Sequence, residues 1–382
     1  MPICDLLTER LEKQKHRNTY RTLKTTSATI DFTSNDYLGF ARSLELKQAL
    51  SNTLDHTHSL GSTGSRLLTG QSLLADRVEQ YIAAYHNRES ALIFNSGYTA
   101  NLGLISALAS QKDRVIHDIY IHASIHDGIR LSKAQSIPFR HNDIEHLEKR
   151  LSQPHRGETF VCVESVYSLH GSVSPLKTIC ELCKKYSAHL IVDEAHSIGI
   201  FGDKGEGLVA SLGLQNDVAA TVYTFGKALG IHGAAIVGSK LLKDYLINFS
   251  RPFIYTTALP PHAVTMIHLA YQYNEKATVP RKNLQELIVY FRENAKSMQL
   301  PILQDNVNTP IQPLCISGST QVHTAASKLQ NSGFDVRPIV SPTVKQKEEL
   351  LRICLHAFNT KSEITEFLNK LYEIQESLCI LS

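Results

Sequence analysis

His189-Leu190-Ile191-Val192-Asp193 and, further along, Val218-Ala219-Ala220-Thr221-Val222-Tyr223-Thr224-Phe225-Gly226-Lys227 are two apolar, β-branched runs that each lead to a charge. Runs of this kind, bounded by glycine or polar residues, read as buried strands. Lys and Asp are among the residues least often buried unpaired, so their position at two strand ends points to a site. Pyridoxal phosphate chemistry uses this pair. A lysine holds the cofactor as a Schiff base, and a carboxylate keeps the pyridine nitrogen protonated so that the ring accepts carbanion electrons.

Working outward, helical and strand patterns alternate: helix 73–86, strand 90–94, helix 98–109, strand 113–117, helix 124–133, strand 136–140, helix 143–152 and strand 159–164. Helix 175–186 and strands 188–193, 217–225 and 233–238 continue the series. This order predicts an α/β fold with a mainly parallel sheet covered by helices on both faces, whose ligands collect at the carboxyl ends of the strands. Residues 1–45 read as an arm, with a helix Ile3–His16 and a short strand Ala28–Phe32. The large domain is placed at 46–262. A smaller α+β domain at 263–382 is expected to pack with the arm, and carries helices 262–276, 282–298, 320–331 and 361–378 and strands 311–316, 334–339 and 351–355.

With 382 residues, 42% hydrophobic and 20% charged, the chain suits a globular enzyme of about two domains. A net charge of +3 without long single-sign runs gives no reason to expect nucleic acid or a membrane surface as partner. Seven scattered cysteines, an odd number, fit a reducing compartment. No uncharged apolar stretch approaches the roughly 18 residues of a membrane span. The stretch Met1 to Lys15 carries Asp5, Glu9 and Glu12, which reads as an amphipathic helix rather than a signal peptide, so the cytoplasm is expected.

Asn95-Ser96-Gly97-Tyr98-Thr99-Ala100-Asn101 follows a strand and opens a helix, where free N–H groups suit a phosphate, although an ordinary Ser N-cap explains the same residues. His122 and His126 share an i, i+4 spacing but lack the glutamate of HExxH, so no metal is expected. Stacking of His122 on a flat heteroaromatic ring is the preferred role, with His126 facing solvent. Cys180 and Cys183 lie within one helical pattern and have no second pair, which favours packing over zinc. Asp193-Glu194-Ala195-His196 matches a helicase motif, but the phosphate loop GxxxxGK[ST] that a helicase needs is missing upstream. Glycines 226, 230 and 233 around Lys227 suggest close backbone packing at a ligand. Arg352 interrupts an apolar strand; a fork onto a substrate carboxylate and a buried ion pair both explain it.

SNDYLGF (34–40), GSTGSRLLTG (61–70), NSGYTAN (95–101), HASIHDG (122–128), ESVYSLHG (164–171), VDEAHSIG (192–199), TFGKALG (224–230) and YTTALPP (255–261) together resemble, in this order, the α-oxoamine synthases. These are fold-type I pyridoxal 5'-phosphate transferases with a seven-stranded, mainly parallel sheet. GSRLLTG (64–70) and TFGKALGIHGAA (224–235) are most similar to the biotin-pathway branch of that family. The resemblance implies that Lys227 carries the Schiff base, Asp193 meets the pyridinium and His122 stacks on the ring. It places His196 and Ser168 near the phenolic oxygen. Gly97, Tyr98 and Thr224 would hold the phosphate, with Thr256 or Thr257 added from the other subunit of a homodimer that shares its active site. Asn35 and Arg352 match positions that meet the amino acid.

The implied reaction is a decarboxylative condensation of L-alanine with a pimeloyl thioester carried by coenzyme A or a carrier protein. A sister reaction of glycine or another amino acid with a different acyl thioester is the alternative. Three positions depart from the family pattern. Val340 stands in Ile339-Val340-Ser341-Pro342-Thr343-Val344-Lys345 where an arginine is usual, Glu206 replaces another arginine, and His170 replaces an aspartate.

Overall fold

The computed structural model describes residues 2–17, 19–23, 25, 28–54, 59–303 and 308–377. Cys379 and the last residue of the helix expected at 361–378 therefore lie outside the described residues. In chain order the strands are β1 Ile30–Asp31, β2 Ser90–Phe94, β3 Arg114–Asp118, β4 Gln135–Phe139, β5 Thr159–Glu164 and β6 His189–Asp193. There follow β7 Ala220–Thr224, β8 Ala234–Gly238, β9 Ile311–Cys315, β10 Phe334–Asp335, β11 Arg337–Ile339 and β12 Leu350–Cys354.

Contacts divide the chain into two compact units, Asn35–Leu284 and Met1–Ser34 with Gln285–Ser382. The observed division differs from the boundaries read at 45/46 and 262/263. Helix Thr278–Ser297 runs through the second division without a break in its periodicity, so the sequence carries no signal there.

The larger unit is built on a seven-stranded sheet of order β2-β8-β7-β6-β5-β3-β4, parallel except for β8, which runs antiparallel to both neighbours. Both faces are buried, and the alternation of side chains along each strand sorts them into two layers. Cys162, Ile191 and Val222 pack with Leu104 and Ile125 from helices Gly97–Leu108 and Ala123–Ser132. Val161, Val163, Leu190 and Val192 pack on the other face with Leu147 and Ile179. Helices Leu44–Thr53 and Lys240–Phe249, absent from the sequence-based reading, complete this unit.

In the smaller unit β1 pairs in parallel with β10, and β11-β12-β9 form an antiparallel sheet. The single strand expected at 334–339 is thus two strands in two sheets. Pro338 sits in β11, an edge strand, where its missing N–H costs no ladder bond. Among the described residues, no helix is long and apolar enough to cross a membrane.

His86 is fully buried, with its ring stacked 3.7 Å from Tyr223 and Nε2 3.1 Å from the Tyr271 hydroxyl. Burial pushes its pKa from 6.5 down to about 3. Above pH 6.5 the ring is neutral both folded and unfolded; below it only the unfolded chain gains the proton, until the folded ring also titrates near 3. Unfolding free energy is therefore expected to fall with pH through that window. In urea titrations at several pH values, His86→Phe should flatten the slope by about 1.4 kcal/mol per pH unit.

Candidate active site

The two-residue period that builds the sheet also builds the site. Glu164 follows Cys162, Asp193 follows Ile191 and Thr224 follows Val222 on the face covered by helices 97–108 and 123–132. β5 and β6 align Glu164 with Asp193, and β6 and β7 align Asp193 with Val222. Glu164 and Asp193 thus stand side by side at the carboxyl ends of adjacent parallel strands, with Thr224 two residues beyond their level on the next strand, and each lines a cavity of about 250 Å³.

Lys227 projects from the loop joining β7 to β8 and lines the same cavity. Backbone bonds Phe225 N to Gly233 O at 3.0 Å and Gly230 N to Lys227 O at 2.8 Å fix that loop. Gly230 has φ +64°, and a Cβ there would meet Ala41 N at 2.2 Å. Gly226 differs: a Cβ would approach only Ile231 O at 3.6 Å, so this glycine leaves cavity space open rather than meeting a tight contact.

Two hydrogen-bond chains orient the polar groups. The Tyr37 hydroxyl donates to Asn35 Oδ1 at 2.9 Å, so it accepts from His196 Nδ1 at 2.8 Å. His196 Nε2 is then the acceptor for Lys227 Nζ at 2.8 Å. In the second chain, Asn101 Nδ2 donates to Asp193 Oδ2 at 2.7 Å and to Ser124 Oγ at 3.0 Å. Asp193 Oδ1 accepts from Ala195 N at 2.8 Å. His122 Nδ1 accepts from Ser124 N at 3.2 Å and lies 2.7 Å from Ser124 Oγ. A ring nitrogen that accepts an N–H carries no proton, so neutral His122 holds its proton on Nε2. Burial keeps His122 below the usual imidazole range; Asp193 opposes that shift and Lys227 adds to it.

At one end of the cavity, Ser96 caps helix Gly97–Leu108 in a capping box with Thr99. A Cβ on Gly97 would meet Thr224 Cγ2 at 2.3 Å, so only glycine admits this approach. Thr224 Oγ1 is buried with no hydrogen-bond partner among the described residues. Free N–H groups, a dipole end and an unpaired hydroxyl in one place suit an anion. Asp193 suits a protonated ring nitrogen, and Lys227 supplies an amine in the same cavity.

Of the residues expected at the site, Asn35, Gly97, Tyr98, His122, Asp193, His196, Thr224 and Lys227 line this cavity. Ser168 donates its backbone N–H to Glu164 at 3.3 Å. Thr256 and Thr257 do not line it in their own chain; they receive the Asn95 side chain, and Thr256 lines a second cavity of about 270 Å³. Arg352 lies on β12 in the smaller unit, with Nη1 2.9 Å from Cys354 Sγ. Glu206 accepts from Lys204 N at 2.9 Å and His170 stacks on Tyr120 at 4.5 Å; neither lines the cavity. His126, expected at the surface, is half-buried with its ring edge-on to His117. Cys180 and Cys183 pack in the core, and among the described residues no His, Cys, Asp and Glu cluster could hold a metal. The sequence reading did not single out Tyr37, Asn101, Ser124 or Glu164, although each lies inside a motif it quoted.

The aminotransferase class I and II profile matches residues 27–371. The chain is 37% identical to the 8-amino-7-oxononanoate synthase of Emericella nidulans, over 95% of this chain and 94% of that protein. It is 34% identical to 8-amino-7-oxononanoate synthase 2 of Bacillus subtilis over the full length of both. Among solved structures, serine palmitoyltransferase from S. paucimobilis with a bound PLP–myriocin aldimine is 28% identical, with a TM-score of 0.89 and 98% of each chain covered. The 8-amino-7-oxononanoate synthase of Francisella tularensis is 30% identical, with a TM-score of 0.81 over 92% of this chain and 98% of that one. The match of profile, relatives and sheet leaves one conclusion: the chain belongs to the aminotransferase class I and II family and has its fold-type I architecture.

Proposed function

We propose that this chain uses pyridoxal 5'-phosphate to condense L-alanine with a pimeloyl thioester, the 8-amino-7-oxononanoate synthase reaction of biotin biosynthesis. A carbon–carbon bond forms between the alanine α-carbon and the thioester carbonyl carbon, the thiol leaves, and the alanine carboxyl departs as carbon dioxide. The observation that carries this reading is Lys227 and Asp193 in one cavity of a chain 34–37% identical to synthases of this name over nearly its whole length.

The cavity residues fit the cofactor. The helix start at Gly97 and Tyr98, with the unpaired Thr224 hydroxyl, would take the phosphate, and Asp193 would meet the ring nitrogen. When bound, the cofactor supplies an electron-poor ring that takes up the pair left at the amino acid's α-carbon. Asp193 keeps the ring nitrogen protonated, because a nearby carboxylate favours the charged form. Lys227 Nζ, with one N–H committed to His196, takes the α-proton on its lone pair. His122 would cover the ring, with its Nε2 proton available to donate. Asn35, which lines the cavity, would receive the amino acid.

A homodimer in the cytoplasm is part of the proposal. Leu60, Leu68, Leu73 and Tyr255 are exposed large apolar side chains close in sequence to Thr256 or to the glycine-rich segment 61–70, which suits a subunit interface. Thr256 or Thr257 would then reach the partner's phosphate site.

A second reading, in which serine is condensed with a long acyl thioester, is favoured by the TM-score of 0.89 to serine palmitoyltransferase. One experiment separates the two. The PLP-loaded protein is offered alanine, glycine and serine in turn, with pimeloyl-CoA or palmitoyl-CoA, while cofactor absorbance and thiol release are followed. Thiol release with alanine and pimeloyl-CoA is expected; release only with another pair overturns the assignment.

A further inference from the structure

Two carboxyl side chains face this cavity, and the proposed reaction uses only one. Glu164 is 2% exposed and Asp193 4% exposed, directly aligned across β5 and β6. Their surroundings differ. Each oxygen of Asp193 has a short donor, Asn101 Nδ2 at 2.7 Å and Ala195 N at 2.8 Å. Glu164 Oε2 receives the Ser168 N–H at a longer 3.3 Å, and Glu164 Oε1 is buried without a hydrogen-bond partner among the described residues.

Two negative charges on adjacent strands in a poorly solvated site repel, and the proton goes to the carboxyl whose charge is less well held. The groups facing Glu164 are Asp193 on β6, Lys227 on the β7–β8 loop, and the backbone N–H groups of Ser168 and His122. Burial and then Asp193 push the Glu164 pKa well above the usual carboxylate range, against the opposing pull of Lys227 and the two N–H groups. A protonated carboxyl has one O–H to donate.

We infer that Glu164 is a neutral carboxylic acid that donates its O–H to an acceptor oxygen of the ligand bound in this cavity. That oxygen belongs either to the cofactor or to the carboxylate of the amino acid. Asp193 supplies charge and Glu164 supplies a donor, a division of labour between two carboxyls of one sheet edge. The donor role rests on the cofactor-dependent reading above, whereas the protonation does not.

Infrared difference spectra of the full chain without cofactor, wild type minus Glu164→Gln, should contain the carbonyl band of a protonated carboxylic acid at neutral pH. A spectrum showing an ionised carboxylate instead overturns the inference whether or not the protein binds PLP. On adding PLP the band should shift if the acceptor is a cofactor oxygen; a shift only after alanine assigns the acceptor to the amino acid. A band unmoved by either ligand in a protein that binds both refutes donation. In turnover, Glu164→Gln, which keeps a neutral donor, should retain at least about tenfold more activity than Glu164→Leu, with the pH profile of wild type. Equal loss in both variants counts against the donor role. If Glu164→Leu does not fold, the infrared comparison still decides.

Discussion

Lys227→Ala is expected to abolish turnover, by more than about 10⁴-fold, and with it the visible absorbance that the wild-type protein gains on mixing with PLP. In the proposed reaction one nitrogen serves both as cofactor anchor and as proton carrier, so no neighbouring group would retain either role. His196 sits 2.8 Å from Nζ, but its Nδ1 is committed to Tyr37 and an imidazole cannot provide the primary amine. The loss would not reflect unfolding. Lys227 is half-buried in a loop whose bends rest on backbone bonds, including Ile231 N to Phe225 O at 2.9 Å. Circular dichroism of the variant should therefore match wild type, while thiol release from pimeloyl-CoA with alanine should be undetectable. A variant that still develops the chromophore, or still turns over, would sink the assignment of Lys227.

The large sheet and the two charges that opened the sequence reading were legible because buried parallel strands are short apolar runs, and a charge at the end of such a run stands out. Glu164 ends β5 by the same logic, but in ESVYSLHG the family resemblance points to Ser168, and nothing in the sequence sets the glutamate apart. Asn101 and Ser124 were less visible. Polar residues on a helix are ordinary, and only the packing of two helices over one sheet face turns these two into the link between Asp193 and His122. Tyr37 illustrates a different limit. SNDYLGF has no periodicity, so its hydroxyl's place between Asn35 and His196 depends on a turn that no pattern predicts. The smaller unit was read as one strand too few, because the apolar alternation of 334–339 runs on while the chain changes sheets at Val336.

Asp193→Asn is the sharper test, since it changes one atom and one charge. The aspartate receives a donor on each oxygen. An asparagine has only one acceptor oxygen, so its own NH₂ either faces the Ala195 N–H, donor against donor, or requires the Asn101 amide to flip and give up its bond to Ser124. The amide also lacks the charge that keeps a ring nitrogen protonated. The proposed phosphate site at Gly97 and Thr224 and the Lys227 amine are untouched, so the variant is expected to retain part of its PLP. Exchange of the alanine α-proton for deuterium in D₂O, followed by NMR, should nevertheless slow by about 10²–10⁴-fold, because the proton Lys227 removes leaves its electron pair without a strong acceptor. The loss should fall on kcat more than on KM, since alanine binding does not use Asp193. Exchange at the wild-type rate in a PLP-loaded Asp193→Asn protein would mean that the ring nitrogen is governed from elsewhere. The Asn101–Ser124–His122 chain would then serve only to hold the imidazole.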